Sequence, residues 1–261
     1  LGLFLLVFTP TPQPDSTFLY ANCPQANNLS SLECISSQKK KMLKAVIFDM
    51  DGVIINSEPL HHRAYHAMFD EVGADVSAEL YESLTGKSTI NVCKQIKDRF
   101  ELPHSPELLA TIKRRHYDVI FENDKTFDLI KGVRALIENY HEQGLTLVLG
   151  SSATMVSIER IFKRFDLNPY FKAKLSGAEL KASKPHPEIF IKAAAATGFS
   201  PEECIVIEDA TNGIEAAKSA GIFCVGFDSE HSKNQDYSKA DLVINDFDAI
   251  HFERIKTIFE T

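Results

Sequence analysis

Along residues 42–261, short apolar runs alternate with stretches whose apolar positions recur every three or four residues. Five runs are rich in β-branched residues: KAVIF (44–48), LTLVLG (145–150), CIVIE (204–208), IFCVGF (222–227) and DLVIN (241–245). A strand covered on one face alternates apolar with polar, so near-continuous runs predict strands buried on both faces. Between them, 133–143, 156–165, 187–197 and 211–220 carry the period of amphipathic helices, and Gly144, Gly198 and Gly221 stand where helices commonly stop. Such alternation predicts an α/β fold, a doubly wound parallel sheet with helices on both faces and ligands at the carboxyl ends of the strands. The rhythm breaks between 59 and 128, where no strand pattern occurs and four helical ones do, at 60–72, 78–84, 90–100 and 106–121. An all-helical insertion after the first strand is expected, dividing the fold into a core of 42–56 and 129–261 and a cap of 57–128.

Residues 1–41 read differently: LGLFLLVF, then TPTPQP, then a Ser/Asn/Gln-rich stretch ending in three lysines. They are expected to lie outside the fold, with the functional chain starting at Met42. The rival reading is a remnant of a targeting or anchoring segment, although eight apolar residues are too few to span a bilayer and no basic flank or small-residue cleavage site accompanies them. The 261 residues are 44% hydrophobic and 25% charged, ordinary globular composition that can bury a sizeable core. With 28 Lys+Arg against 36 Asp+Glu the formal charge is −8, which speaks against nucleic acid or an anionic membrane as partner of 42–261. A small anion bound in a local basic pocket stays compatible with that balance. Cysteines at 23, 34, 93, 204 and 224, without any CxxC, suggest neither a disulfide framework nor a structural zinc site, so the cytoplasm is the expected setting.

Four polar clusters follow apolar runs. FDMDG places Asp49 and Asp51 two residues apart with Gly52 free to turn, a pair suited to nucleophile and proton donor or to a divalent metal; the plainer alternative is a solvated loop with a helix-capping aspartate. LGSSA places Ser151 and Ser152 before a helix, where hydroxyls and free N–H groups make a phosphate site or merely an N-cap. In KASKPHPEIF, Lys184 precedes Pro185, which favours extended backbone, and can neutralise a phosphate and a carboxylate together; Lys181 competes for that role, and most lysines are simply exposed. VIEDATNG ends a strand with Glu208 and Asp209, costly to bury unless solvated or occupied by an ion such as Mg²⁺, or else a helix cap at Asp209.

The order carboxylate pair, hydroxyl, lysine, carboxylate pair, each at a strand end, resembles the haloacid dehalogenase-like superfamily, in the helical-cap branch of β-phosphoglucomutase and small sugar phosphatases. The resemblance covers essentially everything from Met42 onward. It implies a Rossmann-like core in which Asp49 carries an aspartyl-phosphate and Asp51 serves as acid and base. It further implies Mg²⁺ at Asp49, the Asp51 carbonyl and Asp209 with help from Glu208, and phosphoryl oxygens held by Ser151 and Lys184. Asp51 distinguishes the phosphate-ester branch from metal-independent dehalogenases and from phosphonatases. Receiver domains share the chemistry but not this order, length or insertion, and a catalytically silent phosphate-binding regulator is a remote alternative.

Within that branch the cap decides between hydrolysis and mutase chemistry. Ser57 is a plausible hinge, and His61 and Lys113 fall where β-phosphoglucomutase-like proteins carry a cap histidine and lysine. The plainer reading makes His61 a surface residue and Lys113, Arg114 and Arg115 a solvated basic face. LTGKST has Thr89 where the mutase pattern has an arginine for a second phosphate, with Lys87 only a point-charge substitute. The expectation is therefore a Mg²⁺-dependent phosphatase of a small phosphorylated sugar or polyol, with β-phosphoglucomutase as the alternative.

Overall fold

Six parallel strands form the sheet: β1 (Ala45–Phe48), β2 (Thr146–Ser151), β3 (Phe171–Ser176), β4 (Cys204–Glu208), β5 (Phe223–Phe227) and β6 (Leu242–Ile244), in the order β3-β2-β1-β4-β5-β6. The computed structural model describes residues 42–84 and 87–261, so the expectations for 1–41 lie outside the described residues. β1 lies between β2 and β4, with Phe48 opposite both Leu149 and Ile207, so the winding direction reverses at the carboxyl end of β1. An open α/β sheet forms its ligand crevice at such a reversal.

The two buried faces explain the apolar runs. Val46, Phe48, Leu147, Leu149, Ile205 and Ile207 pack with Leu136 and Tyr140 of α5 (Val133–Glu142), Ile158 and Phe162 of α6 (Met155–Arg164) and Ile255 of α9 (Phe252–Phe259). Ala45, Ile47, Val148 and Val206 face the other way, onto Phe190 and Ala193 of α7 (Glu188–Thr197) and Ile214 and Ala217 of α8 (Thr211–Ser219). Two elements lack a matching sequence expectation. Strand β3 is a half-exposed edge whose FKAKLS carries two lysines, and its register with β2 shifts at Leu147/Val148; no apolar run marks such a strand. Helix α9 lies beyond the last predicted strand and contributes Ile255 and Phe259 to the first face.

Four helices follow β1 as expected, α1 (Glu58–Val72), α2 (Ala78–Leu84), α3 (Thr89–Phe100) and α4 (Pro106–Asn123). They gather their own apolar cluster, including Met68, Phe69, Val92, Ile96 and Leu109. Ser88 and Ser105 cap α3 and α4 by accepting from the Asn91 and Leu108 N–H groups. The segments entering and leaving these helices lie side by side, Ile55 bridging Leu129 and the Ile130 N–H donating to the Ile54 carbonyl at 2.9 Å. Arg160 of α6 pairs with Asp118 and Glu122 of α4 at 2.5 and 3.0 Å, so the helices also brace against the sheet layer.

Fully buried Tyr140 donates to the Ile250 carbonyl at 2.5 Å, tying the chain before α9 to α5. Tyr140→Phe strands that carbonyl and should cost about 1–3 kcal/mol. Thermal unfolding should register this as a melting temperature lower by roughly 2–4 °C per kcal/mol; an unchanged melting temperature would show that the Tyr140 hydrogen bond adds nothing to the docking of α9.

Candidate active site

Asp49 follows β1 directly, and its N–H donates to the Ile207 carbonyl at 3.0 Å, extending the pairing of β1 with β4. The chain then turns tightly: the Ile54 and Ile55 N–H groups reach the Met50 carbonyl, and Gly52 adopts φ +84°. A Cβ at Gly52 would stand 1.9 Å from an Asp209 carboxylate oxygen, so both its conformation and its space demand glycine. Asp49 is buried, whereas Asp51 keeps an exposed face and accepts a hydrogen bond from the Ser57 hydroxyl.

Lys184 reaches this point from the segment before α7. Its side chain is 9% exposed, and its ammonium donates to Asp49 Oδ1 and, at 2.7 Å, to Glu208 Oε1. Lys181 is exposed, which leaves the role to Lys184. The expected extended backbone does not occur: the chain turns here, with the His186 N–H donating to the Ser183 carbonyl at 3.0 Å, and the Lys184–Pro185 peptide is cis. The turn lets a residue on an otherwise exposed segment send its side chain under the strand ends. Glu208 has both carboxylate oxygens engaged, the second by the Ala210 N–H at 2.8 Å. Gly213 of α8 makes room for it, since a Cβ there would lie 1.7 Å from Glu208 Oε1.

Asp209, also buried, accepts from the Ser232 hydroxyl, and its carbonyl accepts from the Tyr237 hydroxyl at 3.0 Å. Sequence reasoning missed both partners, which lie in a polar loop after β5 without periodicity or motif. Asp209 is not the side-chain cap of α8, whose first turn follows Ala210. Ser151 ends β2 on the same edge of the sheet, and its hydroxyl accepts from the Ala153 N–H at 3.1 Å. Neither Ser151 nor exposed Ser152 caps α6; Thr154 does, accepting from the Ser157 N–H at 3.3 Å. The chain needs three residues to leave the strand before that helix begins.

The electrostatics are lopsided. Burial raises the Asp49 carboxyl well above its ordinary range, Lys184 pulls it down, and Glu208 and Asp209 push it up again. Burial, then the charge of Glu208, raises Asp209 to about 7. Desolvation raises Asp51 as well, against the Ser57 hydrogen bond. Burial alone would lower Lys184, but its two carboxylate partners reverse the sign and keep it charged. Among the described residues no three His, Cys, Asp or Glu side chains already enclose a common point as a cage would.

A second region lies among the helices, a cavity of about 220 Å³ lined by Glu58, His61, Tyr65, Lys87, Thr89 and Lys113, among others. Lys113 is 5% exposed and contacts His61 Nδ1 at 2.6 Å, with its ammonium over the rings of Tyr65 and Tyr117 at 4.8 and 5.1 Å. This corrects the solvated basic face: Leu109, Ile112 and Lys113 share the inward side of α4, while Arg115 turns outward to Glu71 at 2.5 Å. His61 is likewise no free surface residue, because it stacks on Tyr117 at 4.5 Å. Burial and the neighbouring ammonium lower its pKa to about 4. Burial lowers Lys113 to about 8, with Glu58 opposing. Lys87 is exposed and donates to Gln95 at 3.0 Å, and Thr89 hydrogen-bonds Tyr65 at the start of α3.

Comparison with known proteins identifies the family. Residues 46–227 match the haloacid dehalogenase-like hydrolase family. Hexitol phosphatase B from Escherichia coli is 33% identical over 183 residues, 69% of this chain and 81% of its own length. β-Phosphoglucomutase from Bacillus subtilis is 31% identical over 208 residues, 77% of this chain and 89% of its own. A crystal structure of β-phosphoglucomutase from Clostridium difficile superposes with a TM-score of 0.67 at 27% identity, covering 84% of this chain and 97% of that one. With its sheet order, its helices inserted after β1 and matching sequence across most of its length, this chain belongs to the haloacid dehalogenase-like hydrolase family.

Proposed function

We propose that the enzyme is a Mg²⁺-dependent phosphatase hydrolysing a small sugar or polyol phosphate through a phosphorylated Asp49. The observation that carries this reading is the buried Lys184 ammonium held between Asp49 and Glu208 beside Asp209, a carboxylate nucleophile next to fixed positive charge. An Asp49 oxygen attacks phosphorus in line, the ester P–O bond breaks, and Asp51 gives its proton to the leaving oxygen. Asp51 then takes a proton from a water whose oxygen attacks the same phosphorus; the bond to Asp49 breaks, and inorganic phosphate leaves with both carboxyls restored. The raised pKa of Asp51 suits a group that must arrive protonated. Lys184 and Ser151 are assigned to the phosphoryl oxygens that do not exchange.

The donor set fits a divalent cation, because burial and neighbouring carboxylates displace Asp49 and Asp209 upward with one ammonium between Asp49 and Glu208. Asp49, Asp209 and the Asp51 carbonyl would hold Mg²⁺, with Glu208 positioning Lys184 rather than binding the ion through its occupied oxygens. When bound, the ion supplies positive charge facing the phosphoryl oxygens. Mutase chemistry is the second reading, favoured by the His61–Lys113 contact. Against it stands Thr89, whose hydroxyl offers a second phosphate no guanidinium fork.

Phosphorus NMR of the full chain with Mg²⁺ should show inorganic phosphate released from hexose and hexitol monophosphates. Net conversion of β-glucose 1-phosphate to glucose 6-phosphate with a bisphosphate primer would move the assignment to the mutase. Chelation should abolish turnover and Mg²⁺ restore it; activity that survives chelation rules out the metal. Asp49→Asn should abolish the phosphoryl-enzyme, whereas Asp51→Asn should cost about 10²–10⁴-fold with an alkyl phosphate. The Asp51→Asn loss should shrink markedly for release of p-nitrophenolate, a leaving group that needs no proton; an equal loss on both substrates would remove Asp51 from the acid role. Because Lys113 is charged below a pKa of about 8, KM for an anionic substrate should rise as pH passes that value. Lys113→Arg should flatten the rise, and the same rise in the variant would exclude Lys113 as its source.

A further inference from the structure

The cavity among the helices contains a carboxylate to which phosphoryl transfer gives no role. Glu58 is the first residue of α1, where negative charge favours the helix dipole. A carboxylate serving only that end needs no partner on another helix. Glu58 has one: its Oε1 accepts from the Tyr81 hydroxyl of α2 at 3.3 Å, and both residues line the cavity with Lys87, Thr89 and Lys113. The Lys113 ammonium and the Asp51 carboxyl act on Glu58 in opposite senses, so the group lies within electrostatic reach of both the cavity lysine and the reacting centre.

At about 220 Å³ the cavity is smaller than the roughly 300–1,000 Å³ of drug-sized pockets, a size suited to the far end of a small metabolite. His61 there is neutral near pH 7, its basicity suppressed by burial and by Lys113. A second phosphate entering would meet the Glu58 carboxylate as a like charge that offsets the attraction of the Lys87 and Lys113 ammoniums. It would also meet Thr89, already bonded to Tyr65, where a fork of N–H donors is needed. An alcohol entering would find in Glu58 an acceptor for its O–H, and a site built to satisfy hydroxyls discriminates sharply by leaving wrong groups unpaired.

We infer that Glu58 selects the far end of the substrate, accepting hydrogen bonds from a neutral polyhydroxyl chain and repelling a second phosphate, so that the enzyme takes monophosphates and refuses bisphosphates. This rests on the phosphatase reading of the Asp49 centre.

The test uses two ligands with the same carbon chain, glucitol 6-phosphate and glucitol 1,6-bisphosphate. Their Kd values are measured by calorimetry with Mg²⁺ on the full chain carrying Asp49→Asn to halt turnover, with Glu58 intact, Glu58→Gln or Glu58→Asp. With Glu58 intact the monophosphate should bind tighter. Glu58→Gln should shift the ratio toward the bisphosphate by about tenfold or more, since like-charge juxtaposition is costly. Glu58→Asp, which keeps the charge, should retain the preference. A ratio that favours the bisphosphate with Glu58 present, or one that Glu58→Gln changes by less than about twofold, overturns the inference. If Glu58→Gln melts early, Tyr81→Phe decides: a reduced preference supports the inference and an unchanged one refutes it. Phosphate release by the wild-type chain is read separately. Its absence would overturn the hydrolase reading, while the Kd ratio would still judge Glu58.

Discussion

The candidate site depends on hiding one ammonium beneath the ends of two strands. An ion taken out of water costs several kcal/mol unless charged partners and hydrogen bonds replace the solvent. Lys184 meets that condition with two carboxylates, Asp49 just beyond β1 and Glu208 at the end of β4. The arrangement is possible because β1 and β4 are neighbours in register. It also dictates small residues nearby: Gly213 cannot carry a Cβ without meeting Glu208, nor Gly52 without meeting Asp209. Burying the ammonium with two partners leaves the crevice richer in carboxylates than in cations. Burial raises Asp49 and Asp209 and the surplus carboxylate charge adds to it, and under the proposed chemistry a divalent ion and an anion would answer that surplus together.

How much of this was legible in the sequence follows from burial. Central strands covered on both faces must be apolar throughout, so KAVIF and CIVIE disclose themselves, and the residues after them inherit a place at the strand ends. Edge strand β3 has one half-exposed side and satisfies its lysines outward, Lys172 on the Thr197 carbonyl and Lys174 on Glu159 and Asn168, so composition hides it. The same logic divides the site. Asp49, Glu208 and Asp209 are charged residues beside apolar runs and therefore stand out, whereas Lys184 is marked only by the prolines that follow it. Ser232 and Tyr237 serve Asp209 from a loop whose composition is that of any loop. Lys113 was visible as a position, but its burial required the phase of α4, which separates it from Arg115 by a little over half a turn.

The two buried lysines are held in opposite ways, and the difference separates their work. Lys184 touches two carboxylates and is fixed in its charged state, a permanent local charge at the candidate site. Lys113 has a neutral imidazole as its contact and aromatic faces around it, so burial is incompletely offset and its proton is held loosely. A fixed cation suits a group whose charge varies little along a reaction. A loosely held one suits a contact that is completed only when a ligand arrives, because the ligand supplies the missing counter-charge or acceptor.

Ser57 joins these regions. It stands at the N-cap position of α1, one residue before Glu58, and its hydroxyl is bonded to Asp51. The start of α1 is therefore linked to Asp51 directly, across six residues of chain, without a relay through the core. The Ile55–Leu129 bridge lies beside this link and makes the crossing a paired strap rather than two independent loops. The cavity among the helices and Asp51 at the sheet edge are thus close along the chain, and α1 itself contributes to both apolar clusters, Leu60 to one and Met68 to the other. Under the proposed chemistry, a substrate seated by both regions acts on Asp51 from two directions, through the phosphoryl group below and through α1 above. Remote binding contacts can in this way contribute to placing the acid rather than only to holding the ligand.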